Sequence, residues 1–316
     1  MKRFYSLLLA PLALVLAGSS LAQATDPNAS ARERRYLNPV FTETVRTADI
    51  VYGHNHNDTT NETEALTLRL FEPRDDLQEV RALLVLTPGG GFVQTDDAWM
   101  DDFGHALARA GYLVAINRYR LSAAIDTPER FFNALFKATS DQKAVIRYFV
   151  KDAQTENRYR VDTDNIFIGG HSAGAITSLY VAYLDKADGQ IPAMTEAMQR
   201  HGGLEGDSGN SDVDFTLRGV INLSGLVGDL GMLDANEPAL LSLHGDQDAV
   251  VPAGLGEGIF GSIPLHDYAQ IIGLDHRLVI IPGALHNDTA DPAVCEECIP
   301  IIKRFMFNRI EQTASP

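Results

Sequence analysis

The apolar positions of the chain follow two rhythms, and the change from one to the other marks its elements. Over residues 65–71, Leu66, Leu68 and Leu70 alternate with Thr67 and Arg69, the period of a strand with one buried face. Residues 45–52 read as its neighbour. Between them, His54-Asn55-His56-Asn57-Asp58 reads as a polar hairpin loop rather than a metal site. Residues 82–86 and 112–117 are continuous apolar runs, as in strands covered on both faces. Further strands are predicted over 165–169, 218–223, 239–244 and 277–281. A helical period predicts helices over 102–110, 128–151 and 173–184, with a last helix over 295–310.

Strands that alternate with helices predict an α/β fold: a mostly parallel sheet with helices on both faces and the first two strands as an antiparallel edge. No internal repeat and no linker interrupts residues 25–316, so one domain is expected there. The exception to regularity is 188–215, with Gly202, Gly203, Gly206 and Gly209. It is read as a small cap or lid, or as a surface excursion.

The first 24 residues stand apart. Lys2 and Arg3 precede an apolar run over 7–17, and Ala22-Gln23-Ala24 offers a small-x-small site. This reads as a secretory signal peptide cut after Ala24. The run is shorter than the roughly 20 apolar residues that span a bilayer. No cysteine near the cut suggests a lipid anchor, so a periplasmic or extracellular protein with no stable membrane anchor is expected. Export changes the reading of the chain's two cysteines, Cys295 and Cys298. Two thiols without a nearby His pair are too few for structural zinc. A thioredoxin-like role wants the motif after an early strand. In an oxidising compartment, a local disulfide is expected.

Of 316 residues, 45% are apolar, which excludes global disorder. With 26 Lys+Arg against 42 Asp+Glu, the formal charge is -16. That disfavours nucleic acid and anionic lipid as partners. It also favours a neutral substrate over an anionic one.

The chemistry concentrates around Gly170-His171-Ser172-Ala173-Gly174. This G-x-S-x-G follows an apolar strand and opens a helix, the setting in which a sharp turn presents a nucleophilic serine. A serine needs a base, and the base needs an acid to orient it. Asp248, with Asp246 as the alternative, follows the strand over 239–244, where ligands gather in parallel sheets. His286 follows the last strand and a Pro282-Gly283 turn. Among nine histidines its position suits the base best. His171 is expected to point away from the site, His105 is too early, and His244 and His276 flank strands elsewhere. Pro88-Gly89-Gly90-Gly91-Phe92 follows the strand over 82–86. Its Gly90 and Gly91 amides, with that of Ala173, are candidate oxyanion donors. No G-K-[ST] and no G-x-G-x-x-G accompanies the triplet, so a phosphate site is not supported.

With these landmarks, and with Tyr52-Gly53, Tyr119-Arg120-Leu121 and Asp141, the chain resembles an α/β-hydrolase of the esterase/lipase (carboxylesterase) family. The landmarks cover nearly all of residues 25–316. The resemblance implies an eight-stranded, mostly parallel sheet and carboxylic ester hydrolysis through Ser172, His286 and Asp248, with no metal or organic cofactor. Two positions depart from common family patterns. Pro88 stands where many relatives carry His, and His171 where the hormone-sensitive-lipase group carries Asp. Phe92 and Trp99 are candidates to line the substrate pocket, and a short-chain or carbohydrate- or polymer-derived ester is the expected substrate. Two rival readings fit the chain less well. A serine peptidase of the prolyl-oligopeptidase type usually carries a propeller for which this chain has no room. An extracellular binding protein on the same fold commonly lacks a triad member.

Overall fold

Four residues near the middle of the sheet show how the layers form. Leu83 and Val85 are fully buried toward one face, while Leu84 and Leu86 are buried toward the other. A strand whose successive side chains all meet apolar partners must be covered twice. In the computed structural model, which describes residues 35–95, 99–189, 191–256 and 258–314, that strand is β3. The predicted signal peptide lies outside the described residues.

The first half of the chain runs through β1 (Thr44–Asn57), β2 (Glu62–Pro73), β3 (Arg81–Thr87), α1 (Met100–Arg109), β4 (Leu113–Asn117) and α2 (Pro128–Gln154). It continues through β5 (Val161–His171), α3 (Ala173–Tyr183) and α4 (Pro192–Arg200). The rest is β6 (Gly219–Leu223), β7 (Ala239–Gly245), β8 (Leu255–Gly256), β9 (Ile259–Phe260), α5 (Ser262–Ile272), β10 (His276–Ile281) and α6 (Cys298–Ala314). Eight strands form one sheet in the order β1-β2-β4-β3-β5-β6-β7-β10. The β1–β2 and β2–β4 pairings are antiparallel and all others in that sheet are parallel. β8 and β9 form a separate short hairpin.

Two apolar layers flank the sheet. Leu135 and Val145 of α2, Ile176 and Leu179 of α3, and Leu265 of α5 pack on the Leu83 face. Phe103 and Leu107 of α1 and Ile302 and Phe305 of α6 pack on the Leu84 face. α2 starts where it does because the Thr127 side chain accepts the Arg130 N–H at 3.3 Å and Pro128 occupies the first turn.

Residues 54–58 are corrected. β1 runs on through His54-Asn55-His56-Asn57, paired with Ala65, Glu64, Thr63 and Glu62, and the turn falls at 58–61. Asn57 anchors this end. Its Oδ1 accepts from Lys137 Nζ at 3.0 Å, and its Nδ2 donates to Glu64 at 2.9 Å and to the Leu121 carbonyl at 3.2 Å. The last helix begins at Cys298 rather than 295, and Cys295 and Cys298 are bonded to each other. The sequence pattern does not predict α4 or α5.

The 188–215 segment contains α4, and its later part is fastened to α2. Lys143 Nζ donates to the Leu204 carbonyl at 2.6 Å, Arg147 Nη1 to that of Glu205 at 2.6 Å, and Arg147 Nε to that of Val213 at 3.0 Å. Ser208 donates to Asp141 at 2.6 Å. Asp141 also holds Arg120 through its backbone N–H at 2.8 Å and through the guanidinium at 2.8 Å. Both side chains of that ion pair are buried. The Tyr119-Arg120-Leu121 and Asp141 landmarks therefore serve the scaffold.

Candidate active site

The serine stands at a strained point between β5 and α3. Ser172 has φ 52 and ψ -120, a conformation an L-residue rarely adopts. The turn is possible because its neighbours are glycines. A Cβ on Gly170 would lie 2.3 Å from the Thr87 carbonyl oxygen, and one on Gly174 would lie 1.9 Å from the same atom. The elbow is therefore pressed onto the end of β3, where only a bare backbone fits. The Ser172 N–H donates to the Leu223 carbonyl at 2.9 Å, which locks the turn to β6. The first turn of α3 begins at Ala173, so the positive end of its dipole lies beside the serine.

His286 reaches Ser172 from the loop after β10. Its Nε2 is 2.9 Å from Ser172 Oγ, and its Nδ1 is 2.7 Å from Asp248 Oδ2. A carboxylate accepts, so Nδ1 carries the proton and Nε2 presents its lone pair to the serine hydroxyl. The other Asp248 oxygen accepts the N–H groups of Val250 at 2.9 Å and Val251 at 2.8 Å. Burial opposes the charge on Asp248, but the bonds from His286, Val251 and Val250 outweigh it and hold the carboxyl below its ordinary range. Asp246 is exposed and turns to the Gly283 N–H at 2.7 Å. The structure therefore brings Asp248, and not Asp246, to His286.

His244 Nε2 also lies 3.3 Å from Asp248 Oδ2. It is a neutral neighbour. Burial lowers its pKa, and its Nε2–H donates to the Val251 carbonyl at 2.8 Å. Beneath it, His244 Nδ1 accepts from Ser262 at 2.7 Å, and Asn222 ties Ser262 to Ser242 through bonds of 3.1 and 2.8 Å.

The glycine loop lies across the serine. A Cβ on Gly89 would fall 3.1 Å from Ser172 Cβ, so Gly90 and Gly91 follow directly beside Ser172. Gly90, Gly91 and Phe92 all have positive φ, at 107, 61 and 64. The Gly90 carbonyl accepts from the amides of Val93 at 3.2 Å and Gln94 at 3.1 Å, closing the loop on itself. With Pro88 in place of a supporting His, other groups hold the loop. Tyr119 Oη–H donates to the Gly89 carbonyl at 3.2 Å, and the Ser122 N–H to that of Phe92 at 2.8 Å. Phe92 is corrected as a pocket residue. It is 1% exposed and packs against Tyr119 and Phe131, so it supports the loop from within the core. Trp99 is partly exposed, and its ring stands perpendicular to that of His171 with centroids 5.4 Å apart.

His171 does not point away from the site. It is buried, its ring lies 4.8 Å from that of His286, and its Nε2 is 2.9 Å from the His286 carbonyl oxygen. No spacing in the sequence signals this contact, because it joins residues 115 positions apart. Among the described residues no three His, Cys, Asp or Glu side chains gather as metal ligands would.

A family model described as BD-FAE matches residues 68–230, more than half of the chain. The chain belongs to this esterase-type α/β-hydrolase family. The matched span of the BD-FAE domain includes the glycine loop and the Ser172 elbow, while Asp248 and His286 lie beyond it. No curated protein matches the chain. Among solved structures the chain is similar to a truncated form of a carbohydrate esterase from gut microbiota. That chain is 17% identical, with a TM-score of 0.60, over 86% of this chain and 97% of that one. It is also similar to esterase 2 of Thermogutta terrifontis phosphorylated by paraoxon, 17% identical with a TM-score of 0.57, over 83% of this chain and 94% of that one. The propionate-bound form of that esterase is 17% identical with a TM-score of 0.56, over 82% and 93%. Likenesses at this distance establish that the BD-FAE domain here has the α/β-hydrolase fold.

Proposed function

We propose that the protein is a serine carboxylic-ester hydrolase working through Ser172, His286 and Asp248. The observation that carries this is the unbroken line from Ser172 Oγ to His286 at 2.9 Å and from His286 to Asp248 at 2.7 Å. Ser172 attacks the ester carbonyl as its proton passes to His286 Nε2. Asp248 holds the ring and balances the charge that forms on it. The amides of Ala173, Gly90 and Gly91 stabilise the oxyanion, each such donor being worth about 3 kcal/mol in rate. His286 then protonates the departing alkoxide. Water, deprotonated by the same histidine, releases the acid from the acyl-enzyme.

The substrate class we assign is a neutral ester with a short acyl group, carried by a carbohydrate or released from a polymer. The net charge of -16 disfavours anionic substrates, and one of the structures similar to this chain is described as a carbohydrate esterase. The bonded Cys295–Cys298 pair supports an exported enzyme. Among the described residues no helix is long and apolar enough to cross a membrane.

Hydrolysis of p-nitrophenyl acetate and butyrate tests the reading. The wild-type protein should turn over both, and Ser172→Ala should lower kcat by at least about 10³-fold. Turnover that is absent, or equal in the two proteins, overturns it.

A further inference from the structure

We propose that His171 is a positioning residue for the base: its side chain holds the main chain of His286 at a set distance from Ser172 through a bond that takes no part in the reaction. The inference rests on the reading of His286 as the base. A carbonyl oxygen only accepts, so the 2.9 Å contact between His171 Nε2 and the His286 carbonyl fixes the proton on Nε2. His171 and Ser172 are consecutive residues of one locked turn. The pair therefore grips residue 286 twice, by its carbonyl through His171 and by its ring through Ser172 Oγ. The second grip must break and re-form as the proton moves to His286 and on to the leaving alkoxide. The first persists through every step.

His171 is built to hold still. It is 3% exposed. Its ring is enclosed by the ring of His286 with centroids 4.8 Å apart, the perpendicular ring of Trp99 with centroids 5.4 Å apart, and the backbone of Gly89, where a Cβ would come within 2.8 Å of Nδ1. Among the described residues, the loop it grips is otherwise tied to the segment after β7 only ahead of residue 286, by the Gly283 N–H to Asp246 at 2.7 Å and the Gln247 N–H to the Ala284 carbonyl at 3.0 Å. Leu285 beside His286 is 58% exposed, and its N–H donates to Asp288 at 2.7 Å. Burial above all pushes the His171 pKa down, to about 4. At neutral pH it therefore adds no second positive charge beside the imidazolium that forms on His286.

Two substitutions separate the bond from the packing. His171→Phe keeps a ring but loses the donor, whereas His171→Gln keeps an N–H that can reach the same carbonyl. With p-nitrophenyl acetate, His171→Phe should lower kcat by about 10- to 100-fold, with KM changed less than about threefold. Labelling of Ser172 by a fluorophosphonate should slow by the same factor as kcat. His171→Gln should recover most of both losses. Wild-type kcat in His171→Phe, or equal losses in the two variants, overturns the proposal. If His171→Phe does not fold by circular dichroism, imidazole ¹⁵N shifts of the wild-type protein at pH 7 decide. An Nε2–H on His171, in the neutral or the charged ring, supports the bond, and the Nδ1–H tautomer with a bare Nε2 overturns it. A folded wild-type protein that neither turns over esters nor labels at Ser172 overturns the esterase reading instead, and the tautomer measurement still judges the bond.

Discussion

Gly89 lies directly against Ser172: a Cβ added at residue 89 would be 3.1 Å from Ser172 Cβ and 2.8 Å from Nδ1 of His171. Neither neighbour can retreat, because the elbow is already pressed on β3 and His171 is enclosed. Gly89→Ala should therefore displace the nucleophile or the glycine loop by a fraction of an ångström. The expected result is a fall in kcat of about 10- to 100-fold with the fold retained, read by ester turnover beside circular dichroism. Unchanged kcat would mean that the loop and serine are not held together.

The two acids of the β7 loop should separate cleanly. Asp248 bonds His286 at 2.7 Å, whereas exposed Asp246 bonds the Gly283 N–H. Asp248→Asn should lower kcat by about 10⁴-fold, the loss seen when a triad acid becomes an amide. Asp246→Asn keeps an oxygen for Gly283 and should leave turnover close to wild type. A larger loss in Asp246→Asn than in Asp248→Asn would reverse the assignment.

Asp141 carries stability rather than chemistry. It is fully buried and holds Arg120 and Ser208, which in turn fasten the segment after α4. Asp141→Ala would leave a buried guanidinium without its carboxylate, a loss of about 3–5 kcal/mol. Urea denaturation checks this. An unchanged midpoint would show that the excursion is not anchored through this pair.

The legible parts of the sequence were those set by local chemistry. Leu83 to Leu86 read as a strand buried on both faces because every side chain there is apolar. The Ser172 elbow is marked by the glycines that let it touch Thr87. What could not be read depends on partners far along the chain. The end of β1 looked like a loop because Asn55, His56 and Asn57 are polar, and the lysine that anchors Asn57 lies 80 residues away in α2. Phe92 looked like a pocket wall because it follows the glycines, but Tyr119 and Phe131 draw it into the core. Residues 188–215 read as a cap, a lid or a surface excursion because of their glycines. One of them, Gly206, is instead a close approach, where a Cβ would be 2.8 Å from Ser140 Cα.

Glu237 should make stability depend on pH. Burial, then the nearby Asp234, Asp185 and Asp188, raise its pKa to about 7 despite a bond from the Asp234 N–H. The folded form therefore binds a proton that the unfolded chain releases at ordinary carboxylate pH. Stability from this site is full below the unfolded value and is lost as pH rises through 7. Glu237→Gln mimics the protonated form. Allowing for solvent screening at a half-buried site, it should raise the Tm at pH 8 by about 2–4 °C and change it little at pH 4. An equal effect at both pH values would contradict the shift.

The identity of the nucleophile is decided by covalent capture. After treatment with a fluorophosphonate, intact mass should rise by one phosphonyl group. Peptide mapping should place that group on Ser172, with no labelling of Ser172→Ala and slow labelling of Asp248→Asn. A folded wild-type protein that stays unlabelled, or that carries the group on another residue, would contradict the account.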